Sequence, residues 1–133
     1  MNKNSCYTYF VIEGIFNPDD ITKILNLMPY KIVRIGDVMK NNKISKVAKW
    51  YFNKNSDYTP YINEQMRITI NPLLDKIDLL NKIQKEYKAS FTLEVVPSIY
   101  VNEINPSLAP SLDIIDFCHD TRTNIDIDLY LLK

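Results

Sequence analysis

The sequence predicts an α+β domain, a mainly antiparallel sheet of five or six strands with helices packed on one face. Three observations predict it. Alternation of apolar and polar residues with period two recurs in five segments, and three- and four-residue apolar spacing fills stretches between them. The segments run strand, helix, strand, strand, long helix, strand, helix, strand, an order that suits helices layered on a sheet. The chain has 133 residues, 46% hydrophobic and 24% charged, which predicts one soluble domain, 1–133, around a single core.

The first strand is read at Tyr7 to Glu13, and the next segment marks its end. In Asn17-Pro18-Asp19-Asp20, Asn17 is suited to cap a helix, Pro18 to its first turn, and both aspartates to its positive end. Phe16 is placed to staple onto Ile21, and Ile24 and Leu25 continue the apolar face. A second strand is expected at Tyr30 to Gly36, where Gly36 supplies a positive φ and Asp37 a hydrogen bond to local backbone. A third is expected at Lys46 to Phe52, between loops at Lys40 to Lys46 and Asn53 to Pro60, because a chain with two glycines must turn on Asn, Asp and Pro.

Ile62, Met66, Ile70, Leu73, Ile77, Leu80 and Ile83 then recur at helical spacing. Pro72 interrupts them, so the expectation is a kink or two helices with the break near Asn71. A strand at Ser90 to Val96 follows, with a short extra one at Ile99 to Val101. A last helix is read from Pro110 to Asp120 with Leu112, Ile115 and Cys118 inward, and a closing strand at Ile125 to Leu131. In register, Phe10, Ile12, Ala48, Trp50, Phe52, Phe91, Leu93, Val95, Ile125, Ile127 and Leu129 fall on the helix-packed face. The opposite parity collects Tyr7, Tyr9, Val11, Glu13, Lys49, Tyr51, Thr92, Glu94, Asp126, Asp128 and Tyr130, on a face expected to be open.

Composition excludes several classes of function. Sixteen basic residues balance sixteen acidic ones, which removes the electrostatic drive of a nucleic-acid binder. Every apolar run is broken by charges before it reaches membrane-spanning length, and no signal-peptide pattern opens the chain, so no membrane partner and a cytoplasmic location are expected. Cys6 and Cys118 are read as reduced and buried. No G-x-G-x-x-G or G-x-x-x-x-G-K pattern surrounds Gly36.

The first strand ending in Gly14, the Asn17-Pro18-Asp19-Asp20-Ile21-Thr22 helix entry, Pro29, Gly36-Asp37, Trp50 and the closing Ile125-Asp126-Ile127-Asp128-Leu129-Tyr130 form a pattern. It resembles the domain-of-unknown-function family numbered 4279 over nearly the whole chain. Asn71-Pro72, Pro106 and Pro110 depart from it. The resemblance implies no activity, cofactor or catalytic residues, and it hints at the immunity proteins suspected among small bacterial domains of this kind.

No catalytic set is apparent. Asp126 and Asp128, two apart on a strand, share a face, but His119 is the sole histidine and neither cysteine sits at ligand spacing, so no metal and no cofactor are expected. The plain reading pairs these carboxylates with Lys49, Lys31 or Arg34 across the sheet. Ser107 and Ser111 read as helix caps, His119 as a solvated helix end and Trp50 as core. Nine tyrosines against five phenylalanines favour a surface that exchanges water for a partner. Tyr7, Tyr9, Tyr51, Asp126, Asp128 and Tyr130 are therefore the candidate binding residues, on a face whose acids repel phosphate. One class of function is a non-catalytic domain docking on a protein, basic in character, as an immunity-type inhibitor does. The other is a small-molecule binder or enzyme with a cleft between the sheet and the loops at Lys40 to Lys46 or Asn53 to Thr59. A homodimer through the same face is the third arrangement.

Overall fold

The structure is a computed structural model and describes residues 3–57 and 61–133. Among the described residues, six strands form one sheet: β1 (Ser5–Gly14), β2 (Lys31–Val33), β3 (Ala48–Asp57), β4 (Ser90–Tyr100), β5 (Thr123–Ile127) and β6 (Tyr130–Leu132). Four helices accompany them: α1 (Pro18–Leu25), α2 (Ile62–Ile70), α3 (Ile77–Tyr87) and α4 (Leu112–Thr121). The strand order is β2-β3-β1-β4-β5, with β6 also on β4. Pairs β2–β3, β3–β1 and β1–β4 are antiparallel, while β5 and β6 run parallel to β4. This is the α+β, mainly antiparallel sheet that the alternation predicts.

The inner face is set by parity. Phe10, Ile12, Ala48, Trp50, Phe52, Phe91, Leu93 and Val95 are all buried there against the helices. Trp50 stacks on Phe52 with ring centroids 5.3 Å apart, and its indole Nε1 donates to Thr22 Oγ1 on α1 at 3.0 Å. A buried Trp thus keeps a polar partner, as it must in an apolar core. Cys6 and Cys118 are free and buried.

Helix α1 starts as its sequence dictates. The Asn17 side chain accepts from the Asp19 amide at 3.0 Å, Pro18 is the first helical residue, and the helix leaves through Asn26 at φ 52°. The long apolar stretch does break at Asn71, but Asn71 caps no following helix. Asn71–Leu73 form one 3-10 turn around Pro72, and α3 begins only at Ile77.

Several expectations are corrected. Strand β2 is shorter than Tyr30 to Gly36, because Gly36 adopts φ 96° and Asp37 Oδ2 accepts from the Arg34 amide at 2.7 Å, which turns the chain. The predicted loop at Asn53 is strand instead: β3 continues to Asp57 along β1, and the rest of that loop, 58–60, lies outside the described residues. The separate strand at Ile99 belongs largely to β4, and Val101 falls in the turn after it. The closing strand divides at Asp128-Leu129 into β5 and β6. Ile127 and Leu129 are 40% and 45% exposed rather than packed, because β5 is an edge strand that ends there.

Helix α4 is rotated from the expected phase. Cys118 is buried as expected, but Leu112 and Ile115 are exposed and Ile114, Phe117 and Thr121 are buried in their place. Two apolar stripes compete on this helix, and the one carrying Phe117 buries more surface, against Phe10 at 6.3 Å.

A bulge bends β3 between Phe52 and Asn55. Phe10 pairs with Phe52 and Thr8 with Asn55, so Tyr9 faces two residues, Asn53 and Lys54. Asn53 takes φ 56° there, a left-handed conformation that Asn tolerates. Its side-chain amide donates to the Ile68 and Thr69 carbonyls at 2.9 and 3.1 Å, in the last turn of α2. Beside it Gln65 links α2 to β1, accepting from Thr8 Oγ1 at 3.1 Å and donating to the Cys6 carbonyl at 2.8 Å. The Thr69 hydroxyl accepts from Asn55 at 3.0 Å. No buried side-chain N or O atom among the described residues lacks a partner.

Candidate binding face

The four helices leave the outer face of the sheet uncovered, and four tyrosines fill its middle. Tyr7 and Tyr9, two apart on β1, stack with centroids 6.2 Å apart and planes 11° from parallel. Tyr51 on β3 packs on Tyr9 at 5.7 Å. Tyr30 closes the group, 6.3 Å edge-on to Tyr9 and 5.9 Å from Tyr51. The rings shield one another, which leaves Tyr7, Tyr9 and Tyr51 half-buried on a face with no helix above it. Burial also pushes the Tyr9 phenol up to about 12, with the neighbouring Glu94 charge adding to it, and raises Tyr30 in the same direction.

Charge is divided across this face. On the β2–β3 side, Lys31 Nζ lies 5.1 Å from the centroid of Tyr51, Lys54 Nζ lies 4.4 Å from that of Tyr7, and Lys49 pairs with Glu13 at 3.5 Å. The bulge turns Lys54 outward, and cations over ring faces are favourable. On the β4–β5 side stand Glu94, Asp126 and Asp128. Glu94 is directly beside Tyr9 on one flank and Asp126 on the other.

The pairing of Asp126 with a lysine or arginine is therefore corrected. Lys49, Lys31 and Arg34 lie across the sheet from β5, and Arg34 pairs with Asp19 at 2.9 Å. Asp126 meets Glu94 instead. Partial burial, a hydrogen bond with Asp126, and the charges of Asp126 and Asp128 push the Glu94 carboxyl up to about 7. Glu94 thus holds its proton toward neutral pH, because a second charge beside Asp126 is costly.

Of the six residues chosen from sequence, Tyr7, Tyr9 and Tyr51 come together, and Asp126 reaches the same ring group through Glu94. Asp128 and Tyr130 stand toward the sheet edge, where the Tyr130 hydroxyl donates to Asp128 Oδ2 at 3.3 Å, and they reach the group by charge alone, Asp128 through Glu94 and Tyr130 through Tyr7. The Asp128 charge raises the Tyr130 phenol. Tyr30, Lys31 and Lys54 were missed. Tyr30 precedes β2 in a bend, so alternation does not govern where its ring goes.

Neither serine caps by side chain as expected at α4. Ser111 Oγ is held by Asp113 and by Arg67 Nη2, the latter at 3.0 Å, and the Ser111 amide donates to Asn63 Oδ1 at 2.9 Å. Arg67 grips both oxygens of Asp113 at 2.7 and 3.3 Å and contacts Glu64, tying α2 to α4 and holding the Asp113 carboxyl well below its usual range. This ion cluster secures the helix layer. No group of three or more His, Cys, Asp or Glu among the described residues is arranged to hold a metal. No helix among them is long and apolar enough to cross a membrane.

An open-faced α+β domain with a ring cluster in place of a ligand cage is the class that fold and site define. The chain belongs to the family described as Domain of unknown function (DUF4279), which matches residues 4–132. No curated protein and no solved structure matches it.

Proposed function

We propose that this protein is a non-catalytic binding domain that docks a protein partner on its open sheet face, in the manner of an immunity-type inhibitor of a toxin. The observation that carries the reading is the contiguous Tyr7-Tyr9-Tyr51-Tyr30 surface, uncovered by any helix among the described residues and flanked by carboxylates on one side. Tyrosines supply rigid contact area at small entropic cost, and they are enriched where binding energy concentrates. Asp126 and Asp128 favour basic groups of the partner at the β4–β5 edge, and Lys31 and Lys54 orient it by meeting acidic ones at the other. A cytoplasmic location fits two buried free thiols.

Capture from the source cell with the wild type, Tyr51→Ala and Asp128→Lys tests the reading, with circular dichroism to verify folding. A partner held by the wild type and weakened by both substitutions is expected. One retained equally by all three removes this face as the site. Sedimentation of the same three proteins separates docking on a foreign chain from homodimerisation through the face.

A further inference from the structure

Leu112 and Ile115 on α4 and Ile127 and Leu129 at the end of β5 have the spacing of core residues, yet all are exposed. They surround one edge of the sheet. Arg122 alone joins α4 to β5, so the helix runs back along the strand. About 15 Å of helix then matches about 16 Å of strand, which sets the first turn of α4 level with Ile127. Arg67 of α2 holds Asp113, and Ile115 lies roughly 200° further round α4, facing away from α2. Helix α2 packs on β1 and β3, so that direction leads to the free edge of β5.

The backbone of this edge is available. The Asp128 amide donates to the Val95 carbonyl at 2.9 Å. Backbone groups point to alternate sides along a strand, so Asn124 and Asp126 also turn theirs to β4, while those of Ile125 and Ile127 point outward. No strand pairs with them among the described residues. The usual protections of an edge are missing as well, for no lysine, arginine or proline occurs from Thr123 to Leu132. At the opposite edge β2 is cut to three residues, opens on Lys31 and is followed by Arg34 and the Gly36 turn.

Charge selects the occupant. Asp126 and Asp128 enter no ion pair among the described residues, where every pair involves Arg34, Lys49 or Arg67. A second copy pairing antiparallel about 126, 127 or 128 would set carboxylate against carboxylate, which is unfavourable between facing strands. A strand with basic residues at alternate positions meets both acids instead.

We propose that this edge takes up an extended segment of the partner protein, its residues alternately basic and apolar, as an added strand of the sheet. The proposal rests on the reading of the chain as a protein binder and adds the mode of capture. The segment exchanges backbone hydrogen bonds with Ile125 and Ile127, sets its basic side chains beside Asp126 and Asp128, and covers Ile115 and Ile127 with its apolar ones.

The test titrates the full chain, ¹⁵N-labelled, to millimolar concentration with a capped peptide of alternating lysine and valine, about six residues long. A peptide of alternating glutamate and valine serves as control. Saturable shifts at 123–129 and at Ile115, with slowed exchange of the Ile125 and Ile127 amides, are expected for the lysine peptide alone. Ile127→Pro removes an outward N–H and no bond to β4, and should weaken binding about tenfold, the size of one lost hydrogen bond. Asp128→Lys and Ile115→Ser, which leave the backbone intact, should weaken it too, whereas Tyr51→Ala should not. Absence of binding, equal binding of both peptides, or unchanged affinity in the edge variants would overturn the proposal. A dimer in sedimentation that Ile127→Pro dissociates would also overturn it, since a second copy would then occupy the edge. If the peptide fails while Tyr51→Ala still loses the captured partner, strand addition falls and the tyrosine face stands.

Discussion

Glu94 shows how a single residue connects the open face to solution conditions. Its carboxyl is raised from 4.5 to about 7, so in that interval the folded chain keeps a proton that the unfolded chain has released. The folded state then binds more protons, and stability must fall as pH rises from about 4.5 through about 7. Partial exposure screens the effect, which keeps it small. Glu94→Gln removes the ionisation and leaves an amide to donate to Asp126. Thermal melts should show the variant gaining on the wild type between about pH 5 and about pH 8. Parallel melting curves across that range would mean that Glu94 does not keep its proton in the folded chain. Neither the pair nor its consequence was legible in the sequence, because Glu94 and Asp126 are neighbours only through the α4 crossover that lays β5 beside β4. Tyr7, Tyr9 and Tyr51 were legible, since alternation alone puts them on one face.

At the scale of elements, the bulge in β3 carries three tasks. It keeps the strand paired with β1, turns Lys54 onto Tyr7, and brings Asn53 to the end of α2. Asn53→Gly keeps the left-handed backbone but loses both bonds to α2 carbonyls, a cost of about 1 kcal/mol. Asn53→Ala adds the strain of a Cβ in that conformation, about 1–2 kcal/mol more. Denaturant unfolding should therefore rank wild type above glycine above alanine. A glycine variant as stable as the wild type would show that the side-chain bonds contribute little. This strand also marks where pattern reading stopped. Asn53-Lys54-Asn55-Ser56-Asp57 has the composition of a turn, and only pairing with β1 and side-chain bonds to α2 hold it extended. The core residues of β1, β3 and β4 were readable because burial enforces period two on them. Helix α4 was misphased because Leu112 and Ile115 are as apolar as the residues that won.

In the whole molecule, β1 is the central strand, bonded on both sides and buried on its inner face. Local opening should therefore spare it. Amide exchange followed by NMR should be slowest at Phe10 to Ile12 and at their β4 partners. It should be faster in the exposed 34–46 connection, which is held only by local backbone bonds such as Gly36 to Ser45 and Met39 to Lys43 and by the Val38–Ile44 bridge. Comparable protection in β6 and β1 would contradict that ranking. The same centrality has a consequence during synthesis. The strand at the middle of the sheet is made first, and its neighbours follow in the order β3, then β4. At ribosomal rates of roughly 5–20 residues per second, the forty or so residues between the starts of β3 and β4 take about 2–8 s. Through that interval one edge of β1, with its run of Phe, Val, Ile and Tyr, stands unpaired. The nascent chain thus passes through a stage in which its most buried strand is its most aggregation-prone one.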